Sequence, residues 1–276
     1  MKTPFTLLML LFVTACSFTA TAQKDIRGLV DAEVAFASFT ESNNIRDGFL
    51  KFMDSTGIIF NQGRVMNAHK VYQKQKPGPA ILSWAPNFAV VSAAGDMGVT
   101  SGPYEVRPKA FTDTPISRGY FSSIWQLNAN SEWKNLADLG TAYKAANLPV
   151  REINEISLSK QKTSGSSFPN ILLMDSLLNK AIASKQSEQW KTWLTRDSRL
   201  NLEGEQPLSG AKDITAALLS APDKMELSSL SGGISSAKDF AYTYGVVTNG
   251  SRKDNYLRAW IYRKKEWKLI FQTLKW

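Results

Sequence analysis

One block of this chain is written twice, and that repeat limits the fold more than any other feature. Asp96-Met97-Gly98-Val99-Thr100-Ser101-Gly102, followed by Trp125 and Trp133-Lys134, returns as Asp239-Phe240-Ala241-Tyr242-Thr243-Tyr244-Gly245, followed by Trp260 and Trp267-Lys268. Upstream, Phe49-x-x-Phe52 matches Trp190-x-x-Trp193, and Gly63 and Gly204 follow those aromatics at the same offset. A repeat of this length is a small domain with its own core, not a turn of a solenoid. At 276 residues the chain has room for two such domains.

The first residues read as an export signal. Lys2 is its positive end, and the apolar run from Phe5 to Ala15 is too short to cross a bilayer as a folded helix. Two processing routes stay open. Ala20-Thr21-Ala22 before Gln23 is a small-x-small cleavage site, which makes residues 1–22 the signal. Val13-Thr14-Ala15-Cys16 resembles a bacterial lipobox, which removes residues 1–15 and lipidates Cys16. The expected location is the periplasm or the medium on the first route, and the outer membrane on the second. Membrane contact is then through the lipid anchor alone. Cys16 is the single cysteine, so the rest of the chain has neither a disulfide nor a thiol nucleophile.

Eight Trp and 43% hydrophobic residues exclude general disorder. The formal charge is +9, or +8 once Lys2 is removed. The densest basic stretch, Tyr262 to Lys268, lies between two strand-like runs and reads as a solvated turn. We therefore expect no nucleic-acid partner.

Each copy runs from helices to strands, which predicts an α+β fold. In the first copy Ile26, Leu29, Val30, Val34 and Ala37 mark a helix over 25–42, followed by helices over 45–53 and 67–72 with Asn67 as a cap. Strands are expected over 57–60, 81–93, 97–106, 119–127 and 133–139. The second copy repeats the order, with helices over 171–183, 187–194 and 211–219 and strands over 199–202, 225–231, 240–247, 256–262 and 267–274. Ser157 to Pro169 is rich in Ser, Lys and Gly and reads as a linker.

With Phe49-Leu50-Lys51-Phe52-Met53, Ser83-Trp84-Ala85-Pro86, Gly95-Asp96-Met97-Gly98 and Trp133-Lys134-Asn135-Leu136-Ala137-Asp138, this order resembles the nuclear transport factor 2-like superfamily. The likeness is greatest to its SnoaL-like branch, which includes ketosteroid-isomerase-like proteins. The resemblance covers residues 25–140 well. The second copy departs from it, with Gln272 where the first has Asp138 and no counterpart of Trp84-Ala85-Pro86. It implies two cone-shaped domains, 25–143 and 170–276, joined by a linker over 144–169. Each cone would pack three helices on a strongly curved antiparallel sheet around an apolar pocket. Such proteins include isomerases, dehydratases, hydrolases and many binders, so fold alone assigns no activity.

The enzymes of this class need a carboxylate or histidine held in an apolar cavity, where desolvation tunes its pKa. Asp138 lies on an apolar strand and is the first candidate. Strand alternation puts it on the face of Lys134, so the plain alternative is a surface ion pair. His69, the only histidine, is the second candidate, and its plain alternative is a half-exposed helix residue. Asp96 and Asp239 read as turn residues that bond their own backbone. Trp84, Tyr104, Tyr120, Trp125 and Trp260 are candidate ligand-binding aromatics. There is no Gly-rich phosphate loop, and a lone histidine without cysteine neighbours holds no ordinary zinc, so neither cofactor nor metal is expected. These residues favour a binder of a small apolar molecule, working in the first copy. The alternatives are an isomerase, dehydratase or hydrolase using Asp138 and His69 as acid and base, or an interaction module. In the last case the copies form an internal pseudo-dimer or the chain a homodimer.

Overall fold

The computed structural model describes residues 24–144, 148, 152–159 and 167–276. Cys16 and both cleavage sites lie outside them. The first unit begins with α1 (Ile26–Ser42), α2 (Ile45–Phe52), β1 (Met53–Asn61), β2 (Arg64–Asn67) and α3 (Ala68–Tyr72). It continues through β3 (Ile81–Trp84), β4 (Phe88–Val91), β5 (Met97–Arg107), β6 (Ser117–Leu127), β7 (Trp133–Asp138), β8 (Thr141–Ala142) and β9 (Asn154–Ser157). The second unit holds α4 (Phe168–Ala183), α5 (Ser187–Lys191), β10 (Arg199–Leu202), β11 (Leu208–Ser209) and α6 (Gly210–Leu219). It ends with β12 (Met225–Ile234), β13 (Phe240–Asn249), β14 (Arg252–Arg263) and β15 (Glu266–Leu274). The fold is α+β.

The first sheet runs β2-β1-β7-β6-β5-β4-β9, and the second runs β11-β10-β15-β14-β13-β12. The shared order is a hairpin laid beside the last strand of its unit, followed by a meander. The sheets are mixed, not antiparallel as expected, because β1 is parallel to β7 and β10 is parallel to β15. β9 extends the edge of the first sheet, parallel to β4, so part of the expected linker is ordered strand.

Local chemistry explains the boundaries. Asp25, Asn44 and Asn67 each accept a hydrogen bond from a backbone N–H of the helix they open. The run expected as one strand over 81–93 is two, because Pro86 has no N–H to give the ladder. Both pieces pair with β5. Gly102 lies opposite the break, where a Cβ would stand 1.9 Å from the Ala85 carbonyl oxygen. Gly245 has the same constraint, since its Cβ would lie 2.1 Å from Ser228 O, next to a bulge in the β12–β13 pairing. The repeated glycine is thus a close-approach requirement.

The helices of each unit cover one sheet face. Leu29, Phe36, Phe49, Trp84 and Trp125 form the first core, and Ile171, Leu178, Trp190, Ile214 and Trp260 form the second. The other faces of the two sheets meet. Phe88, Val99 and Ile124 of the first pack with Phe240, Leu257 and Phe271 of the second, and Phe88 stacks on Phe271 at 5.7 Å. Polar bonds stitch the contact. Asn201 Nδ2 donates to Ser101 Oγ at 2.9 Å, and Ser122 Oγ lies 2.5 Å from Thr273 Oγ1.

Asp96 and Asp239 do more than shape their own turns. Each accepts from the serine of its own turn, Ser92 at 2.7 Å and Ser235 at 3.0 Å. Each also accepts a backbone N–H from the other unit. Ala93 N donates to Asp239 Oδ2 and Ser236 N to Asp96 Oδ2, both at 2.9 Å. The repeated aspartates therefore exchange bonds reciprocally across the sheet-to-sheet contact.

Candidate functional site

A cavity of about 250 Å³ opens inside the first unit. Phe36 and Phe49 of the helices, Trp84 of β3 and Phe121 of β6 give it aromatic walls. Tyr104 of β5 and Ser117 of β6 bring hydroxyls, and Asp138 at the end of β7 brings the carboxyl. The walls brace one another. Phe36 meets Phe49 edge-on at 5.0 Å and Trp84 at 4.8 Å.

A β-bulge puts Asp138 there. In the β6–β7 pairing Trp125 faces Asn135 and Ile124 faces Ala137, so the register shifts between them. The shift reverses the alternation along β7. Asp138 falls on the cavity side, away from the face it was expected to share with Lys134. Lys134 turns instead to Glu132 and to the Lys51 carbonyl oxygen. Asp138 is half-buried, open to the cavity and otherwise enclosed by protein. Desolvation pushes its carboxyl up from 3.8 to about 7, opposed by the Ser123 hydroxyl, which donates to Oδ2 at 2.8 Å, and helped by the charge of Glu33.

Glu33 lies fully buried on α1. Its Oε1 accepts from Trp84 Nε1 at 2.6 Å, and its Oε2 accepts from Thr100 Oγ1 at 2.5 Å and Trp125 Nε1 at 2.8 Å. Burial raises its pKa despite those three donors. Among the described residues no cation is paired with Glu33 or Asp138. Tyr72 completes the surroundings. Burial and the Asp138 charge hold its phenol far above the ordinary range, so it stays protonated.

Of the residues singled out in the sequence, Asp138, Trp84 and Tyr104 meet in the cavity wall. His69 is elsewhere. It is half-exposed on α3, with Nε2 3.1 Å from the Met53 carbonyl oxygen, and the groups acting on Asp138 are Ser123 and Glu33. Among the described residues no hydrogen bond or ion pair joins His69 to Asp138. Trp125 is fully buried one layer behind the cavity, its N–H shared by Glu33 and Thr100. Tyr120 alternates with Phe121 and so leaves the cavity side. Its ring stacks on Tyr143 at 6.2 Å and faces the Arg199 guanidinium at 5.9 Å. Trp260 is core of the second unit and donates to Thr243 Oγ1 at 2.9 Å.

Glu33 itself went unread in the sequence. The expected helix stripe named Val34, but Val34 is 45% exposed and Glu33 is inside. The sign was available, since Leu29, Glu33, Phe36 and Ala37 are spaced as one helical face. The second unit has the same signature in Ile171, Asp175, Leu178 and Ile182, all buried.

The second unit treats that carboxylate differently. Asp175 accepts from Thr243 Oγ1 at 2.8 Å and from Tyr256 OH at 2.5 Å, and it pairs with Arg258 Nη1 at 2.7 Å. Arg258 Nε donates to Gln272 Oε1 at 2.7 Å, and its guanidinium lies 4.3 Å from the Tyr256 ring centre. Arg258 pairs with Gln272 across β14–β15 as Ser123 pairs with Asp138 across β6–β7, and each stands two residues before its unit's tryptophan. Where the first unit has a hydroxyl, a carboxyl and a cavity, the second has a fully buried cation.

No family model and no curated protein matches the chain. In fold, the chain is similar to NTF2-like proteins over about two fifths of its length. One is an NTF2-like protein from Cytophaga hutchinsonii, at 18% identity and TM-score 0.33, over 40% of this chain and 97% of that one. Another is a putative dehydratase from the NTF2-like family of Streptomyces avermitilis, at 12% identity and TM-score 0.33, over 39% and 93%. A protein of unknown function with a cystatin-like fold from Nostoc punctiforme has 14% identity and TM-score 0.33, over 40% and 92%. The assignment to the α+β class rests on the chain's own helices and strands.

Proposed function

We propose that the chain is a tandem pair of NTF2-like, SnoaL-like domains whose first cone binds a small, mostly apolar molecule anchored at Asp138. The observation that carries this is the cavity, an apolar aromatic chamber with one reachable carboxyl in its wall. At about 250 Å³ it is smaller than the ~300–1,000 Å³ of sites for drug-sized ligands, so the ligand is compact. Rings supply contact area and the carboxyl supplies orientation. The repeated strand order and the reciprocal Asp96 and Asp239 bonds support reading the two units as an internal pseudo-dimer. Ligand-observed NMR with toluene and benzyl alcohol tests the binding reading. Both should bind the parent protein, and Phe121→Trp, which fills the chamber, should abolish binding. Equal binding by parent and variant would refute it.

A second reading, proton transfer, is favoured by the Asp138 carboxyl at about 7, where a base exchanges protons well at neutral pH. Tyr72 and Tyr104 would then be the hydrogen-bond donors nearby, in place of His69. On this reading Asp138→Asn abolishes turnover and spares binding of neutral ligands. We also propose export, from the apolar run Phe5 to Ala15. N-terminal mass analysis of the cell-derived protein decides between lipidated Cys16 and a start at Gln23, and an intact Met1 refutes both.

A further inference from the structure

We propose that the ligand of the first cone is an organic cation, an ammonium group on a compact apolar or aromatic body, paired with the Asp138 carboxylate. This rests on the reading of that cavity as the binding site and names its chemistry.

The second unit acts as an internal template. Its helix carboxylate, Asp175, is neutralised by Arg258, whose guanidinium also lies over the Tyr256 ring. The equivalent helix carboxylate of the first unit is Glu33. It keeps the threonine donor, Thr100 for Thr243, and in both units the strand tryptophan donates to that threonine, Trp125 to Thr100 and Trp260 to Thr243; Trp125 reaches Glu33 as well. The strand pair that supplies the cation in the second unit, Arg258 with Gln272, is Ser123 with Asp138 in the first. The first unit thus has one positive charge fewer and one carboxyl more at the matching positions, and that carboxyl, Asp138, lines the cavity. Among the described residues nothing of positive charge replaces the lost guanidinium.

Two enclosed carboxyls without a cation are costly, and a cation delivered by a ligand offsets that cost. The walls suit such a ligand. Rings of Phe36, Phe49, Trp84 and Phe121 surround the space, and aromatic faces attract ammonium groups. An anion would meet the Asp138 carboxyl with the Glu33 carboxyl behind the wall, and a neutral alcohol would gain one hydrogen bond only. The groups facing Asp138 are Ser123, Glu33, Tyr72 and Tyr104. None supplies a positive charge, and both tyrosines stay protonated. Cation binding needs the Asp138 carboxylate, so it strengthens as pH rises through about 7 and weakens below.

Calorimetric titration of the whole protein with benzylammonium, benzyl alcohol and benzoate tests this, at pH 8 and again at pH 5.5. The expected result at pH 8 is that benzylammonium binds about tenfold tighter than benzyl alcohol, benzoate binds weakest, and the preference shrinks at pH 5.5. Asp138→Asn should erase the preference for benzylammonium over benzyl alcohol with the near-ultraviolet circular dichroism retained. Ser123→Arg, which installs the second unit's cation, should abolish binding of benzylammonium with the near-ultraviolet circular dichroism retained. Benzyl alcohol binding as tightly as benzylammonium would overturn the cation proposal and leave the pocket reading standing. So would a full preference in Asp138→Asn. Failure of both probes to bind the parent protein at millimolar concentration would overturn the two together.

Discussion

Replacing Asp138 by Asn should make the protein more stable at alkaline pH and flatten its pH profile. The native carboxyl titrates at about 7, against an ordinary value of 3.8 for an aspartate in the unfolded chain. Between those values the folded state holds a proton that the unfolded state has lost. Unfolding free energy therefore falls as pH rises. What Asp138 lends to stability is fully present below about 4 and gone once pH has passed about 7. The interval is about three pH units at ~1.4 kcal/mol each, which sets a ceiling of ~4 kcal/mol. Asp138 is open to the cavity, and water there screens part of the charge, so ~2 kcal/mol is the working value. Asn keeps the acceptor for Ser123 Oγ and carries no charge to desolvate. Urea unfolding of parent and variant at pH 5 and pH 8 measures the effect. Two of the three pH units lie between these measurements, so the parent should lose ~1.4 kcal/mol relative to the variant. Parallel profiles would show that Asp138 is solvated as an ordinary surface carboxylate, and both the site and its tuning would fall with that result.

Three further changes probe the framework around the site. Glu33→Ala should cost about 3–5 kcal/mol in urea unfolding, because Trp84, Thr100 and Trp125 lose their shared buried acceptor. Arg258→Met should cost about 3–5 kcal/mol by leaving Asp175 charged and unmatched, and adding Asp175→Leu should recover much of the loss; additive losses would refute the pairing. Gly102→Ala should destabilise by about 2–4 kcal/mol, since the new methyl meets the Ala85 carbonyl, whereas Gly204→Ala, with open space but φ +85°, should cost only about 1 kcal/mol. Equal effects of the two glycine changes would refute the close-approach argument.

What the sequence makes legible follows from period and punctuation. Helix and strand order in both units is readable because apolar spacing and turn residues act locally. Asn67 as a helix cap and Gly102 with Gly245 as matched positions are of this kind. What escapes is long-range. The parallel pairing of β1 with β7 depends on residues some eighty positions apart. The face of Asp138 depends on a bulge that strict alternation cannot include. Tyr120 misleads because it neighbours Phe121 in sequence and points to the opposite side of the sheet. His69 draws notice by its rarity, yet no chain signal places it near Asp138. Glu33 escapes because a charged residue on a helix is assigned outward by default, and only its position in the Leu29–Phe36 stripe argues otherwise.

The contrast between the two units connects stability to function. The second fills its interior with Arg258, held by Asp175, Asn179 and Gln272, and its core is closed by polar pairing. The first has Ser123 at the matching position and keeps two carboxyls whose burial disfavours their charge. An arrangement that weakens the fold at neutral pH has no structural use that Arg258 would not serve better. A cavity kept open at such a cost, in the unit that also keeps the aromatic wall, supports the proposed binding reading. The sheet-to-sheet contact makes the division workable. Asp96 and Asp239 bond across it symmetrically, so the closed second unit braces the outer face of the sheet whose inner face carries the cavity.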